Sequence, residues 1–339
     1  MLTYKCLSIN KFESNGFHIE PLRDIDKYDI LEIRNQQLYH LRQPEPLTKE
    51  QQDNYFVKVV ALLFDQEKPN QLLFSFFENN EFVGYGGLVH INWIDKIAEI
   101  SFVMKTDLEK NNFSKYWSNY ISLIEKIAFS ELNFHKIFTY AFDLRPHLYA
   151  ILEKNGFTEE ARLKEHCLFD DNYIDVVYHS KINRKISYRK SNEEDLLLYF
   201  NWANDSSVRE NSYQTKRIDF EDHQKWYLNK IKDPNCLMLI FENHLGFPIG
   251  QVRIQKNENK TALIGISNDK NHRGKGYASE MLKISTELFL SKNSSYLINA
   301  YIKLENIASE KAFRKAGFEL NKVVDYEGIS SFHFIKQIK

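Results

Sequence analysis

Ile264–Met281 reads IGISNDKNHRGKGYASEM, and its punctuation decides most of the fold. The apolar run Leu263–Ile266 predicts a β-strand, the polar residues after it a turn, Arg273–Ala278 a glycine loop, and the residues beyond a helix. Gly274 and Gly276 lack a Cβ, so they can take positive φ and let backbone N–H groups approach a bound group. The helix that follows offers unpaired N–H groups and the positive end of its dipole, which suits phosphate or pyrophosphate. Arg273 and Lys275 add positive charge. Two glycines between a strand and a helix also make an ordinary turn, and the loop alone does not separate these readings.

The loop has company. Tyr296–Tyr301 predicts another strand, followed by the run from Asn306 through Ser309 and Phe313 to Gly317-Phe318. That run predicts a helix capped near Asn306 and ended by Gly317 at a C′ position. The succession is strand, R-x-x-G-x-A loop, helix, strand, N-x-x-S helix, Gly-Phe. It resembles the core of the GCN5-related N-acetyltransferase (GNAT) family, and within it the branch of ribosomal-protein N-terminal and nucleotide-amino-sugar acetyltransferases. The resemblance runs from Ile186 to about Ile335.

Length and composition bound the rest. A chain of 339 residues exceeds one typical domain, and 43% hydrophobic residues with 48 aromatics can fill two cores. The balance of 45 basic and 46 acidic residues gives no electrostatic case for nucleic acid or a membrane surface. Cys6, Cys167 and Cys236 are odd in number and without metal-site spacing, so reduced core thiols and no metal are expected. The opening MLTYKCLSINKF has no long apolar run, and no stretch approaches ~18 apolar residues. A cytoplasmic protein without a membrane partner is expected; oligomeric state stays open.

The first half repeats the plan of the second. Ile33-Arg34-Asn35 aligns with Trp202-Ala203-Asn204. Leu47-Thr48 with Gln51 and Tyr55-Phe56 aligns with Ile218-Asp219, Asp222 and Trp226-Tyr227. In both, a capping residue opens a helix with a polar partner three residues on. Strands over Gln71–Glu78, Glu81–Ile91 and Ile97–Met104 match Leu237–Phe241, Ile249–Lys256 and Ala262–Ser267. Gly156-Phe157 mirrors Gly317-Phe318. A unit of about 160 residues is a duplicated domain rather than a solenoid repeat. The expected fold is α/β (α+β): two tandem GNAT-like domains, each a mixed, mostly antiparallel sheet flanked by helices. Residues 1–181 form the first and 182–339 the second.

The copies part where a phosphate would bind. Phe113-Ser114-Lys115-Tyr116-Trp117-Ser118 stands in register with Arg273–Ala278, both glycines are gone, and Tyr116 is expected to fill the cradle. Arg145 replaces Asn306 and Leu148 replaces Ser309. The first domain is therefore expected to be degenerate, and the second to carry the intact acyl-CoA loop.

The resemblance implies the remaining roles. Acetyl-CoA is the co-substrate. Its pantetheine arm lies between splayed strands, pairing with Ile266 and Ser267, and its pyrophosphate sits on Arg273, Gly274, Lys275, Gly276, Tyr277 and Ala278. Asn306 and Ser309 reach the arm or the thioester. Many relatives place a tyrosine where this chain has Phe313, so Ser309 or water is left to protonate the thiolate, which at pKa ~8.5 is a tolerable leaving group unaided. Relatives often carry a base glutamate in strand four; here only the first copy has one, Glu99. The remaining bases are His223, Glu221 and Glu242, with His223 favoured for its unperturbed pKa. Arg209 and Trp226 are candidates to pair with a phosphate and stack on a sugar or base. The expected reaction is N-acetylation of a small amine, such as a nucleotide-linked amino sugar. A protein α-amine is the alternative acceptor, and a non-catalytic acyl-CoA or metabolite binding module the alternative of another class.

Overall fold

The computed structural model describes residues 3–41 and 43–338. Contacts divide the chain between Asn183 and Arg184 into two compact units, each built on its own sheet.

The first unit holds β1 (Phe12–Ser14), β2 (Phe17–Pro21), β3 (Leu72–Glu78), β4 (Glu81–Asn92), β5 (Ile97–Met104), β6 (Lys136–Phe142), β7 (Thr158–Phe169) and β8 (Asn172–Ile182), in the order β1-β2-β3-β4-β5-β6-β8-β7. The second holds β9 (Ile186–Lys190), β10 (Cys236–Asn243), β11 (Pro248–Lys256), β12 (Thr261–Asn268), β13 (Leu297–Lys303), β14 (Glu319–Tyr326) and β15 (Ile329–Lys336), in the order β14-β15-β13-β12-β11-β10-β9. Each sheet has one parallel pair, β5 with β6 and β12 with β13; every other pairing is antiparallel.

The two units repeat down to side-chain clamps. Asn35 donates to Leu47 O at 2.9 Å and accepts from Leu47 N at 2.8 Å. Asn204 does the same to Ile218, at 3.1 and 2.8 Å. A side-chain amide suits both positions because it can close a loop with one donor and one acceptor at once. Gly156 and Gly317 end their helices at φ +84° and +83°, and the following phenylalanine N–H bonds a carbonyl five residues back, a left-handed C-cap that favours glycine. The caps differ in detail. Thr48 and Gln51 form a reciprocal capping box, whereas Asp219 caps Glu221 and Asp222 one-sidedly.

Each sheet buries a large apolar cluster under a long helix, and the second carries another, Tyr199, Trp202 and Tyr227 with Met238 and Ile240 of β10. Phe74, Phe76, Phe102, Tyr120 and Ile124 anchor the large cluster of the first sheet, and Phe241, Val252, Met281, Phe289 and Phe334 that of the second. No helix among the described residues is long and apolar enough to cross a membrane.

Candidate active site

β12 and β13 pair only through Thr261–Leu263 and Leu297–Asn299, although the strands run on to Asn268 and Lys303. Beyond that point they splay. A cavity of about 530 Å³ opens there, lined by Ile264–Asn268, by Tyr301–Lys303, by Arg273, Gly274, Gly276, Tyr277 and Ala278, and by Asn306, Ser309 and Phe313. Strand ends, glycine loop and N-x-x-S helix thus converge on one space.

The loop has the shape a pyrophosphate needs. Gly274 and Gly276 take φ +73° and +81°, and a Cβ on either would meet no atom within 4 Å. The backbone there is open, and the Tyr277–Lys292 helix starts directly after Gly276 with no side-chain cap on its first N–H groups. The residues therefore fit a bound pyrophosphate. Asn268 Oδ1, also on the wall, is buried without a hydrogen-bond partner. Asn306 Oδ1 accepts from Ser309 N at 3.1 Å, so Asn306 is a helix cap as well as a wall residue. Arg273 departs from the expected role. Its Nη2 donates to Asp205 Oδ1 at 2.6 Å and its Nε to Asn268 O at 3.3 Å, so much of its charge is spent bracing the loop. Trp202 Nε1 braces the other flank through Asp269 Oδ2 at 3.1 Å.

A second cavity of about 950 Å³ lies beside the first, lined among others by Arg209, His223, Trp226, Gln251 and Arg253. The two share Val208, Ser212, Gly265, Ile266 and Ser267. Around the larger one, several polar atoms are buried unpartnered: His223 Nδ1 and Nε2, Arg209 Nε and Gln251 Oε1. Buried polar groups are normally paired, so these four atoms leave unusual unused hydrogen-bonding capacity in residues that line one cavity. His223 is 3% exposed, ringed by Phe200, Trp226 and Tyr227; burial first, and the Arg209 charge second, push its pKa below the usual histidine value. It is a neutral imidazole at neutral pH.

Two of the candidate bases stand apart from these cavities. Glu242 lines neither cavity, and its carboxylate accepts from Arg189 Nε at 2.8 Å on the neighbouring edge strand. Glu221 lines neither cavity. Phe313 is 3% exposed against Phe318 and Phe334, a core residue with no proton to give. Gln251, Arg253 and Asp205 were not singled out in the sequence. Gln251 and Arg253 are recognisable only through strand register, which puts them opposite Ser267 and Gly265.

The first unit is built differently at the matching place. Its Thr106–Glu125 stretch is two helices joined by a kink at Asn112, and Phe113–Ser118, which match the glycine loop, are helical in the second of them. Tyr116, which matches Gly276, stands in helix, its ring buried against Phe17 and Phe76 and its hydroxyl donating to Glu78 at 2.8 Å. Arg145 Nη1 donates to Glu109 Oε1 at 2.9 Å, and Leu148 is buried. Burial pushes the Glu109 carboxyl up, but the His40 ring 3.7 Å away and the Arg145 charge with its hydrogen bond outweigh it and hold it down at about 2.

Comparison with known proteins agrees with this architecture. Residues 185–319 match a family model described as Acetyltransferase (GNAT) domain, and residues 19–178 match another of the same description. Among solved structures, spermidine N-acetyltransferase from Vibrio cholerae in complex with CoA and spermine is 19% identical, with a TM-score of 0.45 over 50% of this chain and 96% of that one. Aminoglycoside acetyltransferase AAC(6')-Ib in complex with coenzyme A is 19% identical, with a TM-score of 0.40 over 45% and 95%. Among the described residues no group of His, Cys, Asp and Glu is placed to hold a metal ion. The chain belongs to the GNAT family, two acetyltransferase domains in tandem, and is an N-acetyltransferase that takes its acyl group from acetyl-CoA.

Proposed function

We propose that transfer takes place in the second domain, onto a small amine bound in the larger cavity, and that the first domain is a degenerate copy. The observation that carries this is the shared wall: Gly265, Ile266 and Ser267 belong to both cavities, so a donor in one and an acceptor in the other meet over the free edge of β12.

When bound, acetyl-CoA supplies a thioester acyl group. The chain's part is to hold and orient. Gly274 and Gly276 leave the loop N–H groups open to a pyrophosphate, with Lys275 and the helix start adding positive potential. Backbone groups of Ile266 and Ser267 lie beyond the last β12–β13 pair, which supports their bonding the amide-bearing arm as an added strand would. A neutral amine is required for attack, and His223, uncharged at neutral pH, is the group on the acceptor side suited to take its proton. Ser309, on the donor side, is the hydroxyl available to the leaving sulfur.

The preferred acceptor is a nucleotide-linked amino sugar. Trp226 offers a ring and Arg209 a cation on the same cavity wall, and about 950 Å³ holds more than a simple amine. The test is acetyl-CoA turnover by the full chain across a panel of amines: a nucleotide-linked amino sugar, the free amino sugar, a polyamine and a peptide with a free α-amine. CoA binding without turnover on any acceptor would overturn the reading.

A further inference from the structure

We propose that Arg209 and Arg253 form an anion subsite in the acceptor cavity, so that the acceptor amine must be carried on a molecule with a phosphate or carboxylate; this deepens the function proposed above and rests on it. Arg209 and Arg253 line the same cavity as His223 and Trp226. Arg209 spends its Nη donors on neutral oxygens only: Gln214 O at 3.0 Å, Lys216 O at 3.4 Å and Ser212 Oγ at 3.0 Å. Its Nε is buried and unpartnered. Arg253 lies over the Trp226 ring, 5.2 Å from the centroid. Neither guanidinium forms an ion pair among the described residues, in a chain where most other buried or half-buried arginines do.

A half-buried cation without a counter-charge is costly, and guanidinium is the side chain best matched to the two oxygens of a carboxylate or phosphate. The carboxylates on this wall do not supply the missing charge. Asp219 is committed to capping Glu221 and Asp222, and Asp222 lies in the first turn of that helix. With Lys216 and Arg217 also on the lining, four cations face two carboxylates. Such a cavity disfavours a polycation and suits an amine whose far end is negative. The duplicate supports the assignment: strand register places Gly87 in β4 where β11 has Arg253, so the cation is present only in the domain with the open loop.

The experiment uses the full chain saturated with CoA, so that the pyrophosphate loop is filled. Uridine diphosphate, as a phosphate probe, and a dipeptide with a free carboxylate are titrated by calorimetry, and both are tried as inhibitors of turnover. Binding of either is expected, and which one binds names the source of the anion. Arg253→Gln should weaken it by about tenfold or more while leaving CoA affinity unchanged. Arg209→Lys keeps a charge but loses the planar fork and should weaken it as well. Binding of neither probe, unchanged binding by Arg253→Gln, or turnover of spermidine faster than of any anionic amine would overturn the subsite. Failure of CoA itself to bind would instead overturn the functional reading, so the two failures are told apart.

Discussion

Arg273 and Asp205 meet through a 2.6 Å hydrogen bond from Nη2 to Oδ1. The same carboxylate oxygen caps the Ser206–Asn211 helix by accepting from Val208 N at 3.3 Å, and Val208 walls both cavities. One side chain thereby fixes the donor loop and the partition between donor and acceptor. Asp205→Asn keeps the cap but removes the ion pair. Steady-state kinetics should show KM rising for acetyl-CoA and for the amine together, by about two- to fivefold, the worth of a partly exposed pair. Asp205→Ala, which loses the cap too, should cost more. An effect confined to acetyl-CoA would show that Asp205 serves the loop alone.

Gly276 supplies a cleaner test of the loop. At φ +81° an alanine there is strained by about 1–2 kcal/mol, yet its methyl group meets no protein atom. Gly246, in the turn between β10 and β11, has the same φ and the same open surroundings. Both alanine variants should lose similar thermal stability. Only Gly276→Ala should also lose acetyl-CoA affinity, by about tenfold or more by calorimetry, because only there does the methyl group stand in the ligand's path. Equal affinities in the two variants would reduce the loop to a turn.

Much of this was readable from the residues. The duplicated plan follows from repeated punctuation, Asn35 with Asn204 and Gly156-Phe157 with Gly317-Phe318, because clamps and left-handed caps tolerate few residue types. The open loop was legible for the same reason: glycine is the residue most at ease at φ +73° and +81°, and it leaves no side chain over the backbone. The acceptor site was not, because it is assembled across strands. Arg253 and Gln251 look like any polar residues of a half-buried strand until register sets them beside β12. Glu242 was a lesser candidate, and its pairing with Arg189 on the next strand could not be read from the chain order. The loss of both glycines in the first unit was readable, but not that the matching stretch would continue as helix after a kink at Asn112, because aligned residues do not by themselves give the conformation.

His223 makes the pH dependence specific. Its folded pKa lies below the unfolded value near 6.5 because burial and Arg209 oppose the charged form. As pH falls below that unfolded value, the unfolded chain takes up a proton that the folded site resists, so this group contributes a loss of stability on acidification. His223→Gln should flatten that part of the stability profile. In catalysis, the rising limb of kcat/KM should sit below the ordinary histidine range, and His223→Gln should abolish it with a loss of roughly 10²-fold or more. A slower enzyme that keeps the limb would assign it to the substrate amine or to another residue.

Titration of acetyl-CoA into the full chain should give one site. In the second unit, splayed strands open onto a loop with two glycines at positive φ; in the first, the matching residues Phe113–Ser118 are helical directly after a kink at Asn112, and Arg145 and Glu109 neutralise each other. Glu109 is buried and held ionised by its partners, so Glu109→Ala leaves Arg145 uncompensated and should destabilise the first unit by about 3 kcal/mol or more. It should not create a second site, because the helix and not the ion pair removes the cradle. Glu109→Gln keeps the shape and one of the two accepting oxygens that Arg145 and Tyr39 use, and should cost less. Two equivalent CoA sites in the unaltered chain would refute the division between the domains, and a second site appearing in Glu109→Ala would shift the cause from the missing loop to the ion pair.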